Sequence, residues 1–278
     1  MKFFKFLTLL SSTITFAQVQ TPQASPIADF TQIVGLTEIK ITYSRPSMKG
    51  RKIMGDLIPY GAIWRTGAND NTVISFSDDV LVGNKALKAG KYSIYTRPEK
   101  SNWEVYFYNK FDNSGLPKPW DDSLIAASLT VKTKNVSEPR ENFTISIESI
   151  YNDGAFIRLA WEKTEINIPL SVPTDEKAMS TIENTLSKNP TPSDYYKAAV
   201  YYRESGKDLK KAKKWIAYAI KKDPGKFWMY RQQALILIGL SEKKGAIEAS
   251  KNSLKYAVKA GNQDYVRMNT KTIAELSK

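Results

Sequence analysis

Along this chain the spacing of apolar residues changes once, near Pro173, from every second position to the three-and-four spacing of a helix. A chain patterned in that way folds into strands first and helices afterwards. Glu38-Ile39-Lys40-Ile41-Thr42-Tyr43 and Thr72-Val73-Ile74-Ser75-Phe76-Ser77 alternate apolar with polar residues, and Trp103 to Tyr108 does so less strictly. Such segments are half-buried antiparallel strands. Val80 to Val82 and Lys85 to Leu87 flank Gly83-Asn84 as a short hairpin, while Ala89-Gly90 turns the chain into Lys91 to Tyr95. The cleanest hairpin runs from Phe143 to Ile150, turns at Asn152-Asp153-Gly154, where positive φ is readily adopted, and returns from Ala155 to Trp161. Short strands with a turn about every ten residues predict an antiparallel all-β sandwich or irregular barrel over residues 27–170.

Beyond Pro173 the periodicity predicts an all-α unit over residues 171–278, so the fold class is α+β by domain. Thr174 or Asp175 is placed to cap a first helix that Asn189-Pro190 ends near Lys188. Tyr195, Ala198, Ala199, Tyr202, Gly206, Ala212, Ile216, Ala219 and Pro224 then follow the pattern of a tetratricopeptide-like repeat. In that pattern small residues let two helices approach, aromatic and aliphatic residues fill the groove, and proline ends the second helix. Gly206 to Ala212 is one residue longer than the usual spacing. A weaker copy runs through Tyr230, Ala234, Leu237, Ala246 and Leu254, with Ser250 and Ser253 where apolar residues are expected. Residues 263–277 form a terminal helix, amphipathic through Tyr265, Met268, Ile273 and Leu276. About two repeats are fewer than a free-standing array needs. The helices are therefore expected to lean on the strand domain and to offer a surface to a protein partner.

The chain has neither cysteine nor histidine. That removes Ser-His-Asp and Cys-His nucleophilic sites, thiolate or imidazole metal sites, iron–sulfur clusters and disulfides. Neither a metal nor a cofactor is implied. Asp56, Asp70, Asp78, Asp79, Asp121 and Asp122 are available as carboxylates, but no spacing singles out a catalytic pair, and a calcium site at Asp78-Asp79 or Asp70 lacks a spaced run of oxygen ligands.

At the N-terminus Lys2 and Lys5 precede the apolar run Phe6 to Leu10, and Thr15-Phe16-Ala17 leads to Gln18. Residues 1–17 read as a signal peptide cleaved after Ala17, and 18–26, with Pro22 and Pro26, as a linker. The apolar run is too short to span a bilayer, and no later segment reaches that length. The expected location is periplasmic or extracellular. Charge is uneven: Gln18 to Ser171 holds 18 basic and 17 acidic residues, whereas Val172 to Lys278 holds 21 and 11. Lys207, Lys210, Lys211, Lys213, Lys214, Lys221 and Lys222 form the densest cluster, read either as a surface for an acidic partner or as a solvated helix face. Nucleic acid is not an expected partner, since no recognised motif accompanies the lysines.

Residues 43–72 alternate glycines and prolines with Arg45, Arg51, Arg65, Tyr60 and Trp64. With Trp64-Arg65-Thr66-Gly67-Ala68-Asn69, Ala89-Gly90-Lys91-Tyr92-Ser93 and Trp103, the stretch closely resembles the exported bacterial family known as domain-of-unknown-function family 2911 over roughly residues 27–165. The resemblance implies a secreted β-rich domain, typical of Bacteroidetes and often followed by tetratricopeptide-like helices, with no established activity. Members sometimes carry the label dihydrolipoamide dehydrogenase. This chain lacks the Gly-x-Gly-x-x-Gly loop and the redox cysteines that such an enzyme requires.

Two readings of the motif stay open. In one, Arg45, Arg51 and Arg65 converge as forks on a carboxylate, phosphate or sulfate, with Trp64 or Tyr60 as a stacking face and Thr66 and Asn69 as neutral hydrogen-bonding partners. In the other, Arg65 and Asn69 brace a glycine-rich connection and Trp64 plugs the core. Asp122-Ser123-Leu124 resembles the O-glycosylation acceptor of exported Bacteroidetes proteins, with Ser123 as the modified residue. The expected function is an envelope binding or scaffolding protein that takes an anionic small molecule or glycan on its β domain. The alternative is a carboxylate-dependent hydrolase of carbohydrate or peptidoglycan.

Overall fold

The structure, a computed structural model, describes residues 21–278, so the signal peptide read at 1–17 lies outside the described residues. Among these, nine strands precede six helices: β1 Ile27–Val34, β2 Thr37–Ser44, β3 Val73–Phe76, β4 Val80–Val82, β5 Lys85–Leu87, β6 Gly90–Pro98, β7 Asn102–Tyr108, β8 Ile125–Tyr151 and β9 Gly154–Ser171, then α1 Thr174–Leu186, α2 Pro192–Glu204, α3 Leu209–Lys222, α4 Phe227–Gly239, α5 Lys243–Lys259 and α6 Gln263–Leu276. No helix among them is long and apolar enough to cross a membrane. Both hairpins expected from their turn residues are present, as β4–β5 and as β8–β9.

All strands join one antiparallel sheet in the order β1-β2-β3-β6-β7-β8-β9-β4-β5. The switch point is β8. Ile125 to Lys132 pairs with β7, whereas Thr133 onward pairs with β9. The second half folds back over the first, so that Tyr43 of β2 exchanges hydrogen bonds with β8: its hydroxyl donates to the Ile145 carbonyl at 3.3 Å and accepts from the Ile145 N–H at 3.0 Å. The sandwich is thus one sheet folded on itself. Its interior is filled by Ile39, Ile41, Trp103, Phe107, Phe143 and Trp161 with their aliphatic neighbours. Alternation decides which side chains enter. On β9 the inward residues are Ile157, Leu159 and Trp161, then Ile166, Ile168 and Leu170. The change of phase falls at Glu162, whose φ of 54° marks a bulge.

A second aromatic cluster covers the outer face of β6 and β7. Tyr95, Tyr106 and Tyr108 point away from the main core and are buried by Trp120 from the connection 109–124. That cover explains why Tyr92 to Thr96 of β6 and Val105 to Tyr108 of β7 are buried on both faces. Burial and the hydrogen bond to Glu104 push the Tyr106 hydroxyl up to about 12.

The helices follow in sequence, each packed on the next. Ala198, Ala199, Tyr202, Ala212, Ile216 and Ala219 are buried, and Thr191 with Asp194 forms a capping box at α2. Two expectations need correction. Neither Thr174 nor Asp175 caps α1: Pro173 holds the cap position, because Val172 is pinned by its N–H to the Asp153 carbonyl, and Thr174 lies inside the helix with its hydroxyl buried and unpaired. On α6, Met268 is 39% exposed, and the buried residues are Asn269 and Thr272, which meet Arg231 of α4 and Ser253 of α5. The expected linker is anchored at its end, where the Arg45 N–H donates to the Pro26 carbonyl and Asn69 to that of Ser25.

The lysine cluster is largely engaged. Lys207 pairs with Asp175 and Lys213 with Glu242, while Lys211 lies over Tyr202 and Trp215 and Lys222 over Tyr218. Helix and sheet meet at Lys177, whose ammonium donates to both Asp78 carboxylate oxygens and to the Leu36 carbonyl.

Candidate functional site

The connection from β2 to β3 is far longer than the few residues that usually join neighbouring strands, and long ordered connections tend to be functional. It is zipped to β6 beyond the end of β3. Trp64 and Thr96 exchange backbone hydrogen bonds at 2.7 and 3.0 Å, and the Gly61 N–H reaches the Pro98 carbonyl. At Trp64 the sequence sends a large ring inward, where it stacks on Trp161 at 5.9 Å and meets Trp103 and Phe143 edge-on. Its indole N–H donates to the Gly67 carbonyl.

The turn that follows is strained. Thr66 and Asn69 both have φ of 56°, and for a β-branched residue that conformation costs about 1–3 kcal/mol. The surroundings hold it in place. Thr66 is fully buried, its hydroxyl contacts the Trp64 carbonyl and the Thr96 hydroxyl, and its carbonyl accepts from Thr72. Asn69 donates its amide to the Ser25 carbonyl at 3.3 Å.

Each arginine is aimed by main-chain carbonyls. Arg45 donates to the Phe143 carbonyl and the Thr144 hydroxyl, which staples β2 to β8. Arg51 donates to the carbonyls of Met48 and Ser47. Arg65 donates through one nitrogen to the Asn69 carbonyl at 3.0 Å and packs on the turn at Gly115, where a Cβ would stand 3.5 Å from that nitrogen. Among the described residues none of the three forms an ion pair. Tyr60 lies over Gly55, whose φ of 83° and lack of a side chain admit the ring.

These elements enclose a cleft of about 530 Å³, within the range of small-molecule sites. Arg51, Trp64, Arg65 and Asn69 line it, joined by Ser25, Leu57, Leu116 and Trp161. Arg45, Tyr60 and Thr66 do not line it: Arg45 and Thr66 support the walls, and Tyr60 stands outside. No acidic residue contributes to the lining. Three acids adjoin lining residues in the chain, Asp56 beside Leu57, Asp70 beside Asn69 and Glu162 beside Trp161; the backbone of Asp70 bridges to Ser114, and Glu162 spends a carboxylate oxygen on the N–H groups of Ile53 and Met54 and so shapes the loop. The other carboxylates are dispersed, with Asp78 on Lys177, Asp79 on Lys88, and Asp121 on the backbone of Ser123. Sequence reasoning missed Leu57, Leu116, Ser25 and Trp161. Leu116 arrives from the connection 109–124, and nothing in its local sequence places it beside Arg65.

A protein family described as "Protein of unknown function (DUF2911)" matches residues 25–170. No curated protein and no solved structure matches the chain.

Proposed function

The chain belongs to the DUF2911 family, and we propose that it is a non-catalytic binding protein whose strand domain holds an anionic ligand in the cleft beside Trp64. The observation that carries this reading is the lining itself: Arg51 and Arg65 share one cleft, neither has a carboxylate partner among the described residues, and no acid lines the space. Guanidinium groups oriented by backbone carbonyls and left without counter-ions favour a carboxylate, phosphate or sulfate in the space they border. The strained Thr66 turn supports the reading, because strain held in place by three neighbours is characteristic of ligand clamps. A hydrolase would need two carboxylates at the cleft, and the lining supplies none.

Around this core the finer reading is an exported envelope protein of Bacteroidetes type with its signal peptide at 1–17, a strand domain over 27–170, and tetratricopeptide-like helices that bind a protein partner. Ser123 is exposed on a 3-10 turn with its hydroxyl donating to Asp121, a setting open to O-glycosylation that intact mass of the native protein would reveal.

Thermal melts of wild type and Arg65→Lys against sulfated, phosphorylated and carboxylated small molecules test the anion site. Wild type is expected to gain melting temperature with at least one anion class, and the lysine variant to bind about 1–3 kcal/mol more weakly, since it keeps charge and loses the planar fork. No shift for wild type, with a lower melting temperature for the variant, would leave Arg65 as a brace of its own turn.

A further inference from the structure

Leu57 and Leu116 are 45% and 37% exposed. Single exposed leucines are ordinary on protein surfaces. These two come from separate connections outside strand and helix, and both line the cleft that holds Arg51 and Arg65. Between them the lining continues through Ile58, Ile63, Trp64 and Trp161, whereas its polar side chains are only Ser25, Asn69 and the two arginines. The Asn69 amide nitrogen is already committed to the Ser25 carbonyl and the Ser44 hydroxyl. A sugar presents hydroxyls over its whole ring, and each one buried without a partner opposes binding. This cleft has few polar side chains beyond its two guanidinium groups, and an apolar surface for what is attached to a charged group.

Resting on the reading of the cleft as an anion site, we propose that its ligand is an amphiphilic anion, a carboxylate or phosphate held by Arg51 and Arg65 and joined to an apolar body that lies on Leu57, Leu116 and Trp64. The two parts reinforce each other. Burial of the apolar body removes water from the charged end and so strengthens the guanidinium contacts, and the forks fix which end enters. Two sources share this chemistry: a free acyl or aryl acid, and the headgroup region of an anionic lipid in a bilayer.

Calorimetric titration of the full chain with butanoate, hexanoate, octanoate and decanoate reads the apolar part directly. Affinity is expected to rise about fourfold for each methylene buried, with decanol at least tenfold weaker than decanoate. Leu57→Ser with Leu116→Ser changes two exposed side chains and is expected to flatten the chain-length series, so that decanoate loses far more affinity than butanoate. Arg51→Gln with Arg65→Gln is expected to weaken decanoate and decyl phosphate at least tenfold. Flotation with phosphatidylcholine vesicles, with and without phosphatidylglycerol, distinguishes the sources: leucine-dependent capture by the anionic vesicles assigns the bilayer, and decanoate binding without capture assigns the free acid.

If glucuronate or a sulfated sugar binds in an arginine-dependent way and the acyl series is flat, the amphiphile is overturned and the anion site stands. If no anion binds, both readings fall. If decanoate binds the arginine variant as tightly as wild type, the contact is unspecific adhesion and the proposal falls.

Discussion

Between the folded halves of the sheet the interior is filled by rings, Trp103, Phe107, Phe143 and Trp161 among them, whereas between the helices the fully buried positions are mostly small: Ala199, Ala212, Ala219, Ala234 and Ala246, with Ser250, Ser253 and Asn269. Each aromatic ring removes about 150–250 Å² from water. An alanine contributes little area and acts instead by letting backbones approach. The strand region thus has one large core that closes on itself, with the tyrosine cluster outside it, whereas the helical region has two smaller clusters and hydrogen bonds that tie α6 to its neighbours, Arg231 to Thr272 and Asn269 to Ser253. The difference teaches where a binding site can be precise. The cleft is lined by Trp64 and Trp161, on the side of the molecule with the ring-filled core.

The largest test of this contrast is to divide the chain. A piece ending just after Val172 is expected to keep the near-ultraviolet circular dichroism of its buried rings and to melt cooperatively. The complementary piece, residues 171–278, is expected to lose cooperative melting, and a sharp independent transition for it would break the comparison.

Next in size is Trp161→Ala, which removes the ring stacked on Trp64 and should cost about 3–5 kcal/mol in urea denaturation. Ala212→Leu forces a larger side chain between α2 and α3 and should cost about 1–3 kcal/mol. Its effect belongs to the helices alone, so the tryptophan environment of the strand core should stay unchanged in near-ultraviolet spectra.

The smallest expected effect lies at the seam. Hydrogen bonds from Lys177 and from the Ser77 and Thr37 hydroxyls hold the Asp78 carboxyl below its ordinary range, against the opposing effect of burial. A carboxylate lowered in the folded state adds stability above its unfolded value, and that stability is lost as pH falls through the folded value. Lys177→Met should therefore reduce stability at neutral pH by less than about 1 kcal/mol, because the lysine is partly exposed. The variant should also lose less than wild type when the urea midpoint is followed from pH 7 down to pH 3.

The parts of the fold legible in the sequence are those set by neighbours in the chain. Gly83-Asn84 and Asn152-Asp153-Gly154 specify their hairpins because turn conformation is local, and the period change at Pro173 separates strand from helix for the same reason. The length of β8 is not legible, since Pro139 interrupts its pattern and its two halves pair with different strands. The inward face of α6 is also hidden. Met268 has the apolar character expected there, but Arg231 recruits Asn269 and Thr272 instead. At the site, Trp64, Arg65 and Asn69 are visible as a motif. Leu116 is not, because its place depends on how Trp120 and Asn113 fasten a distant connection to Tyr95 and Asn71.

The hydrogen bonds between Tyr43 and Ile145 join residues 102 positions apart. In kinetic terms, the core cannot close until most of the strand region is available at once, and pairings of such long range fold slowly compared with local ones. β1 and β2 can form their hairpin early, but the inward faces of Ile39, Ile41 and Tyr43 then wait uncovered for β8 and β9. Until more than a hundred further residues are available these apolar strands stay uncovered, and transiently exposed strands of that kind are prone to aggregate.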